Sequence, residues 1–378
     1  MKYRELGKTG LRVSEIGLGA EWLERHTTEE VKEVVDACHE AGINILDCWM
    51  PGPKVRSDLG AAIAGCRQDW IIQGHLGSTW QGGQYVRTRD MSKVVPAFED
   101  LLERLGTDYV DLGMIHYVDD VEEYHQVMNG EFFAYVRELK DKGTVRHIGL
   151  STHNPSVARL AAQSGQIEML LFSVNPAFDM MPAPGEVGEA YSGDEGADGA
   201  IRARAELYRL CEQRGVGITV MKGYAGGRLF DEKRSPFGVA LTPVQCIHYA
   251  LTRPAVASVL AGYDTVEHVR QALAYETASD EEKDYASVLA DAPRRASSGQ
   301  CTYCGHCQPC PAGIDIAMVN KLADLAEMQS RLPESLREHY RALKHSAADC
   351  IECGGCEKRC PFGVKVIEHM RKARNLFG

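Results

Sequence analysis

The sequence lacks a basic charge excess, and this excludes two common kinds of partner. Its 378 residues carry 42 lysines and arginines against 53 acidic side chains, which gives a formal net charge of -11. Nucleic acids and anionic membrane surfaces are bound through a basic surface. Long apolar runs are also missing, because no stretch approaches the roughly 18 residues needed to cross a bilayer. We therefore expect a soluble protein with neither nucleic acid nor a membrane as its partner.

A secretory signal is likewise absent, although the chain has 13 cysteines. Without export, cysteines stay reduced and serve as ligands rather than as disulfides. The sequence therefore predicts a cytoplasmic protein whose clustered cysteines bind metal. Five cysteines lie scattered in apolar contexts and are predicted to be core residues: Cys38, Cys48, Cys66, Cys211 and Cys246.

The other eight cysteines form two runs near the C-terminus, and each run ends in Cys-Pro. The runs are Cys301-x-x-Cys304-x-x-Cys307-x-x-Cys310 and Cys350-x-x-Cys353-x-x-Cys356-x-x-x-Cys360. The second matches the bacterial ferredoxin run, in which three thiolates hold one cluster and the fourth ligates the other. The first is one residue short before its last cysteine, so its loop must be tighter.

This spacing predicts two [4Fe–4S] clusters with crossed ligands. The first cluster would be held by Cys301, Cys304, Cys307 and Cys360, and the second cluster by Cys310, Cys350, Cys353 and Cys356. Paired zinc ribbons are the alternative, because they also use C-x-x-C elements. Zinc does not require the Cys-Pro endings or three evenly spaced cysteines in a row.

The first 280 residues alternate short apolar runs with helical patterns, after a hairpin predicted over residues 2–13. Eight strands alternating with helices predict a (β/α)8 TIM barrel, an α/β fold whose usual size this span fits. The predicted strands are 15–20, 43–49, 70–76, 110–117, 145–152, 169–175, 217–222 and 256–262. The predicted domains are a barrel over 1–280, a linker over 281–299 and a small helical ferredoxin-like domain over 300–378.

Two local patterns refine this prediction. Thr27 and Glu30 form a capping box that starts a helix, and Gly42 ends it. Residues 182–199 form a long stretch with almost nothing to bury, after the sixth strand. Such loops are usually lids or disordered segments. Because this stretch follows the C-terminal end of a strand, at the barrel mouth, we favour a substrate lid over an inert solvated loop.

The barrel resembles the aldo-keto reductases, and the whole chain resembles their subgroup with a C-terminal ferredoxin-like domain. The resemblance rests on the start Tyr3–Ser14, on Gly17-Leu18-Gly19, on Gly42–Asp47, on Asp108–Leu112 leading to His116, and on Gly149-Leu150-Ser151. It implies hydride transfer between NADPH and a carbonyl, by a tetrad of Asp, Tyr, Lys and His at the barrel mouth.

The tetrad is only half present. Asp47 and His116 fall on the family's aspartate and histidine. The position of its proton-donating tyrosine holds Gly52, and the position of its lysine holds His75. The reductase mechanism therefore cannot be carried over unchanged.

The nicotinamide positions are mixed as well. Ser151 matches the serine that holds the carboxamide, and Asn175 is a further candidate, whereas Thr152 and Leu171 stand where the family has asparagine and glutamine. Lys222, Gly226 and Arg228 follow the seventh strand, where loops of such barrels often bind phosphate. Plain turn glycines would give the same pattern, so NADP(H) stays open as a cofactor.

Asp47, His75 and His116 are the candidate catalytic residues. All three are predicted at the C-terminal ends of barrel strands, where the active sites of this fold lie. Asp47 is expected to orient the His75 imidazole, and His116 to protonate or polarise a substrate oxygen. A structural hydrogen bond is the alternative for any single histidine. A metal site is a further alternative, without a supporting H-x-x-x-H spacing.

Three functions compete. The preferred one is an iron–sulfur oxidoreductase that acts on a small carbonyl or hydroxyl substrate and exchanges electrons with ferredoxin or another redox partner. The second is a redox-assisted lyase, dehydratase or isomerase that uses the same three residues. The third is a non-catalytic electron carrier or redox sensor. The substrate, the direction of reaction and the oligomeric state do not follow from the sequence.

Overall fold

The computed structural model describes residues 1–180, 196–291, 301, 307–327, 329, 331–360 and 364–378. These residues form two compact units. The first contains the barrel and comprises Met1–Asn175, Arg204–Gly223 and Pro243–Asp284, and the second comprises Pro176–Ala203, Tyr224–Thr242 and Tyr285–Gly378. The predicted domain division, with a linker at 281–299, stays a prediction.

The described chain contains the predicted closed barrel of eight parallel strands. They are β3 (Ile16–Gly19), β4 (Ile45–Cys48), β5 (Ile71–Leu76), β8 (Val110–Ile115), β9 (Val145–Thr152), β10 (Met169–Ser173), β11 (Gly217–Met221) and β12 (Val256–Gly262). The barrel closes between β12 and β3, where Val259 pairs with Ile16. All eight predicted strands are therefore confirmed within a few residues.

Two hairpins lie outside the barrel sheet in the described residues. Strands β1 (Tyr3–Glu5) and β2 (Arg12–Ser14) form the hairpin predicted over residues 2–13. Strands β6 (Ser78–Gln81) and β7 (Gln84–Arg87) form a second hairpin, which the sequence analysis did not predict. Its turn is Gly82-Gly83, and both glycines have positive φ.

Helices surround the strands in the first unit as the alternation predicts. Those that begin in this unit are α1 (Thr28–Glu40), α2 (Pro53–Ile63), α3 (Met91–Leu105), α4 (Val121–Asn129), α5 (Glu131–Asp141), α6 (Pro155–Gln163), α9 (Pro243–Leu251), α10 (Val266–Leu273) and α11 (Asp280–Lys283). Helix α7 (Pro176–Met180) follows β10, and α8 (Gly196–Arg214) precedes β11. None of the helices in the described residues is both long and apolar enough to cross a membrane.

The first helix shows how its sequence sets its limits. The Thr27 side chain accepts from the Glu30 N–H, and the Glu30 carboxylate accepts from the Thr27 N–H, so the capping box is confirmed. Gly42 has a φ of 81°, as expected for the residue after a helix. The predicted apolar face, from Val31 to Cys38, is buried.

The scattered cysteines are largely core residues, as predicted. Cys38, Cys48, Cys211 and Cys246 are buried, whereas Cys66 is half-buried. Burial raises the pKa of Cys48, Cys211 and Cys246 to about 12, so these thiols stay protonated and unreactive.

The predicted lid is partly wrong. Helix α8 begins at Gly196, so the last residues of the predicted loop over 182–199 are helical. Most of that loop, residues 182–195, lies outside the described residues, as does the Ala296–Gly299 part of the predicted linker.

The second unit holds the C-terminal helices around an apolar core. They are α12 (Tyr285–Asp291), α13 (Ile316–Glu327), α14 (Glu334–Arg341), α15 (Gly355–Arg359) and α16 (Val366–Phe377). Ile314, Val319 and Met370 are buried there, and the rings of Tyr340 and Phe377 stack 4.0 Å apart. The described residues of this C-terminal region are therefore largely helical, as the sequence predicts.

Close packing of α2 against α3 generates a stability prediction. A Cβ atom at Gly60 would meet the carbonyl oxygen of Arg104 at 2.0 Å, so the helices must separate to admit it. We expect Gly60→Ala to lower the free energy of unfolding by about 1–3 kcal/mol, measured by urea denaturation. Gly65→Ala is the matched control, because a Cβ there meets nothing within 4 Å. Equal losses in both variants would contradict the prediction.

Candidate active site and iron–sulfur centre

The structure brings the three predicted catalytic residues into one hydrogen-bonded chain. Asp47 lies one residue before the end of β4, His75 lies one residue before the end of β5, and His116 directly follows β8. His75 Nε2 lies 2.9 Å from Asp47 Oδ1, and His75 Nδ1 lies 2.8 Å from His116 Nδ1. All three residues are at least 95% buried. These residues are far apart in the sequence, since His75 lies 28 positions after Asp47 and His116 lies 41 positions after His75. The prediction from the strand ends nevertheless placed them together.

A fourth titratable residue, Tyr85, completes this chain. Its hydroxyl lies 2.8 Å from His116 Nε2, and the residue is 7% exposed. Tyr85 lies on β7, in the hairpin that the sequence analysis missed. A phenol therefore does contact the site, although the family's tyrosine position is occupied by Gly52.

One sequence signal could have located Tyr85. The dipeptide Gly82-Gly83 separates two four-residue segments, and two glycines between short strands are a strong hairpin signal. A hairpin that directly follows β5 carries its side chains to the C-terminal end of the barrel. That reasoning predicts the place of the hairpin, but it does not single out Tyr85 among its side chains.

Aromatic packing and an arginine hold His116 in place. The Trp49 ring stacks against His116 at 5.7 Å and meets Tyr85 edge-on at 5.4 Å. Arg89 Nη2 donates to the main-chain carbonyl of His116 at 2.7 Å. The next residue, Tyr117, has a φ of 48°, a rare conformation for a residue with a side chain, and its carbonyl accepts from Arg89 as well. The imidazole is therefore fixed from both its ring face and its backbone.

The Asp47 carboxylate is also held from inside the barrel. Gln73 Nε2 donates to Asp47 Oδ1 at 2.8 Å, and Thr219 Oγ1 donates to Gln73 Oε1 at 2.8 Å. Gln73 and Thr219 are fully buried on β5 and β11. This pair fixes the orientation of the Gln73 amide, so its N–H must face the carboxylate.

If Asp47 is ionised and both imidazoles are neutral, only one arrangement of protons gives each of these hydrogen bonds one donor and one acceptor. A carboxylate only accepts, so His75 donates from Nε2 and accepts at Nδ1. His116 must then donate from Nδ1 and accept at Nε2, which leaves the Tyr85 hydroxyl as the donor to His116. Each of these three hydrogen bonds then points toward Asp47.

Three of the residues predicted to bind a nicotinamide, Ser151, Asn175 and Lys222, belong to the first unit. Ser151 is buried at the end of β9, and Asn175 Nδ2 donates to the Lys222 carbonyl at 2.8 Å. Lys222 Nζ lies 3.8 Å from a carboxylate oxygen of Glu21. Their role in cofactor binding stays a prediction.

The two other predicted nicotinamide residues, Gly226 and Arg228, belong to the second unit, unlike Ser151, Asn175 and Lys222. They lie in a 3₁₀ segment over Ala225–Phe230, where Gly226 has a φ of 66°. Arg228 Nη1 lies 3.8 Å from Asp324 of α13. A carboxylate thus already faces this guanidinium.

Four cysteines of the second unit surround one apolar cavity. They are the predicted ligands of the second cluster, namely Cys310, Cys350, Cys353 and Cys356. Ile314, Ile316, Val366 and Met370 complete its walls. Four thiols facing an apolar cavity fit a [4Fe–4S] cluster, which thiolates hold and apolar side chains shield. The last cysteine of the first run thus joins three of the second run, as the crossed pattern requires.

Three predicted ligands of the first cluster lie in the described residues: Cys301, Cys307 and Cys360. Cys304 lies outside them. Asn320 Nδ2 lies 3.1 Å from Cys301 Sγ, and Val364 N lies 3.4 Å from Cys360 Sγ. Hydrogen bonds from N–H groups to cysteine sulfur are a typical feature around iron–sulfur clusters. These residues therefore suit thiolate ligands.

The short first run is held tightly, as its spacing predicts. Arg359 Nη2 donates to the carbonyls of Cys307 and Pro309, both at 2.7 Å. The Gln308 side chain accepts from Cys310 N at 2.7 Å and donates to the Ile314 carbonyl at 2.8 Å. The two Arg359 bonds join the two cysteine runs, and the two Gln308 bonds shape the tighter loop of the first run.

Comparison with known proteins gives an independent view of the chain. Residues 15–240 match the Aldo/keto reductase family, and residues 269–364 match a 4Fe-4S dicluster domain. The chain is 27% identical over 293 residues to the uncharacterized oxidoreductase YqkF of Bacillus subtilis. This alignment covers 72% of this chain and 90% of that protein. It is 32% identical over 164 residues to the aldo-keto reductase YhdN of the same species, covering 40% of this chain and 47% of that protein.

Solved structures show the same fold. The aldo-keto reductase AKR11C1 from Bacillus halodurans, in its holo form, superposes with a TM-score of 0.60 at 23% identity, over 77% of this chain and 97% of that chain. The family match alone spans more than half of the chain. The chain therefore belongs to the aldo/keto reductase family of oxidoreductases, and it carries a C-terminal 4Fe-4S dicluster domain.

Proposed function

We propose that this oxidoreductase interconverts a small-molecule carbonyl and hydroxyl, with Tyr85 as the group that exchanges a proton with the substrate oxygen. The observation that carries the proposal is the hydrogen-bonded chain from Tyr85 through His116 and His75 to Asp47. Such a buried array of titratable groups at the C-terminal end of a barrel is typical of a catalytic site. A purely structural role would not require four such groups in series.

The hydrogen-bonded chain from Tyr85 to Asp47 can remove a proton from a substrate hydroxyl and carry the positive charge to the buried His75. The substrate O–H proton passes to the Tyr85 oxygen while the Tyr85 proton moves to His116 Nε2. The His116 Nδ1 proton then moves to His75 Nδ1, and Asp47 stabilises the resulting imidazolium. In the opposite direction the same transfers protonate a carbonyl oxygen. His75 thus takes the place of the family's lysine, and Tyr85 that of its tyrosine.

We propose two [4Fe–4S] clusters with the crossed ligand sets predicted from the spacing. When bound, the clusters supply one-electron transfer, and two of them match the two electrons that separate a hydroxyl from a carbonyl. Arg359 and Gln308 would keep the first run shaped for its clusters. Electrons would be exchanged with ferredoxin or a similar carrier in the cytoplasm.

The proposal leaves the place of NADP(H) to experiment. Ser151 and Asn175 match the family pattern and favour a retained nicotinamide site. Arg228 faces Asp324, which disfavours a second anion at this guanidinium. Hydride transfer to or from the substrate carbon would require the nicotinamide, whereas electron exchange through the clusters would not.

A redox-assisted lyase, dehydratase or isomerase is the second candidate. We call the hydrogen-bonded chain from Tyr85 through His116 and His75 to Asp47 the relay. Its side chains can perform acid–base chemistry without a redox cofactor, and this suits a reaction without net oxidation. Stoichiometry separates the two candidates, because only the oxidoreductase consumes reducing equivalents in step with product.

The relay predicts a large effect of a single hydroxyl. Tyr85→Phe should lower kcat about 10²- to 10⁴-fold, since it removes the group that exchanges the proton. His116→Ala should abolish turnover. Both are measured anaerobically on a panel of aldehydes, ketones and alcohols, with visible absorbance confirming intact clusters. Tyr124→Phe is the matched control, because Tyr124 is equally buried but bonds Ser164. Unchanged turnover in Tyr85→Phe would refute the relay.

Crossed ligation predicts which cluster each cysteine supports. Cys310→Ala should alter the EPR signal of the second cluster alone, and Cys360→Ala that of the first alone. Each should lower the iron content by about half, because each removes one of two equal clusters. Cys246→Ala, at a buried core cysteine, should leave the iron content unchanged. If Cys310→Ala instead damages the cluster that Cys301→Ala damages, the ligation is not crossed.

A reduction experiment decides between the electron sources. The anaerobic holoprotein is mixed with NADPH, and the cluster absorbance is followed. Bleaching would show a nicotinamide site that exchanges electrons with the clusters. Bleaching by reduced ferredoxin or dithionite, but not by NADPH, would show that the family's nicotinamide function is lost. A protein that contains no reducible cluster would refute the proposed function itself.

A further inference from the structure

The loop that carries two ligands of the proposed second cluster presents an apolar side chain to solvent. Ile351 is 65% exposed, more than any other large hydrophobic side chain of the described residues. It lies between Cys350 and Cys353, and Cys353 is itself exposed. Both flank the cavity lined by the four cysteines. One edge of that cavity is therefore open to solvent beside an apolar contact point.

This loop is held rigidly. Glu352 has a φ of 53°, a conformation that a residue with a side chain rarely adopts. Arg371 of α16 fixes it by a two-pronged ion pair, with N···O distances of 2.9 and 2.5 Å. The exposure of Ile351 therefore belongs to an ordered loop and not to a frayed end.

The C-terminal segment that begins with this loop is basic in an acidic chain. Residues 350–378 contain six basic and three acidic side chains, whereas the whole chain has a net charge of -11. Arg359 lines the cavity, Arg371 pairs with Glu352, and Arg374 donates to the Ala347 carbonyl at 3.1 Å. All three arginines are exposed. They form, with Ile351, a surface that we call the cluster rim.

We infer that the cluster rim is the docking surface for an acidic one-electron carrier protein. Interfaces of this kind combine a small apolar contact with charges of opposite sign, and these charges speed the encounter. An apolar side chain beside an open cluster edge shortens the path to a partner's redox centre. The basic rim selects a partner with acidic residues around that centre. This inference rests on the proposed ligand set of the second cluster.

The exchange is balanced for one electron. The reduced carrier would give up one electron, and the second cluster, when held by Cys310, Cys350, Cys353 and Cys356, would accept it. No proton or bond changes hands at this surface. The partner must therefore be a carrier that cycles between states one electron apart, as flavodoxins do between hydroquinone and semiquinone.

Stopped-flow kinetics with a reduced acidic flavodoxin test the inference on the anaerobic holoprotein. We expect Arg371→Glu to slow electron transfer about tenfold at low salt and to weaken its dependence on ionic strength, because it reverses a rim charge. Arg341→Gln and Arg371→Gln form a matched pair, since Arg341 is also an exposed arginine paired with a glutamate, at 3.5 Å, in the same unit. Only the Arg371 variant should slow the reaction.

Reduced methyl viologen separates docking from damage to the cluster. It is a small cation, so Arg371→Glu should leave its rate unchanged or raise it. Equal rates with flavodoxin for the native protein and Arg371→Glu would overturn the docking surface. If methyl viologen reduces no cluster in the native protein, the cluster assignment fails, and the docking surface fails with it.

Discussion

The buried carboxylate of Asp47 is the constraint on which the barrel mouth depends. An ionised group removed from water is costly unless it is surrounded by donors. Gln73 supplies one donor from the barrel interior, and His75 supplies another from the mouth. Because the carboxylate only accepts, it sets the proton positions of both partners. Because the proton position on His75 is set in this way, the proton positions on His116 and then on Tyr85 follow. A single charge thereby orders a network over four residues.

This network explains how a member of the family can lack half of its tetrad. A lysine next to the tyrosine acts by its positive charge, while a neutral histidine acts by passing a proton onward. His75 therefore changes the chemistry of the site rather than merely replacing a cation. In the proposed function, Tyr85 of the hairpin would serve as the proton-exchanging phenol, and its supporting groups would differ from those of the family. In the proposed function, the iron–sulfur domain would give this family member a second route for electrons.

Much of the fold could be predicted because its strands are buried on both faces. Parallel strands inside a barrel form continuous apolar runs, and all eight were recognised on that ground. Asp47, His75 and His116 could be placed together because the fold collects its strand ends at one face. The cysteine spacing likewise predicted which four thiols share a cavity. In each case a strong periodic or spacing rule specifies the position.

The missed residues follow no such rule. Gln73 and Thr219 are single polar residues within apolar strands, and their contact across the barrel depends on a register that periodicity does not reveal. Tyr85 lies on a hairpin whose path is decided by tertiary anchors, such as the bond from Ser78 Oγ to the Trp49 carbonyl at 2.6 Å. The start of α8 was placed late because small polar residues at Gly196–Gly199 read as loop.

The proposed catalytic residues lie on two kinds of structural element. Tyr85 lies on a hairpin, whereas the other three lie on the barrel strands or directly after them. The carboxylate and the imidazoles belong to the barrel strands or directly follow them, so they cannot be exchanged without disturbing the sheet. The phenol belongs to a segment of two short strands, Ser78–Gln81 and Gln84–Arg87, which pair with each other and not with the barrel. Such a segment can vary in length and sequence while the barrel persists. Substrate preference in this lineage can therefore evolve by changes in one hairpin that retain Tyr85, while Asp47, His75 and His116 stay unchanged in the barrel.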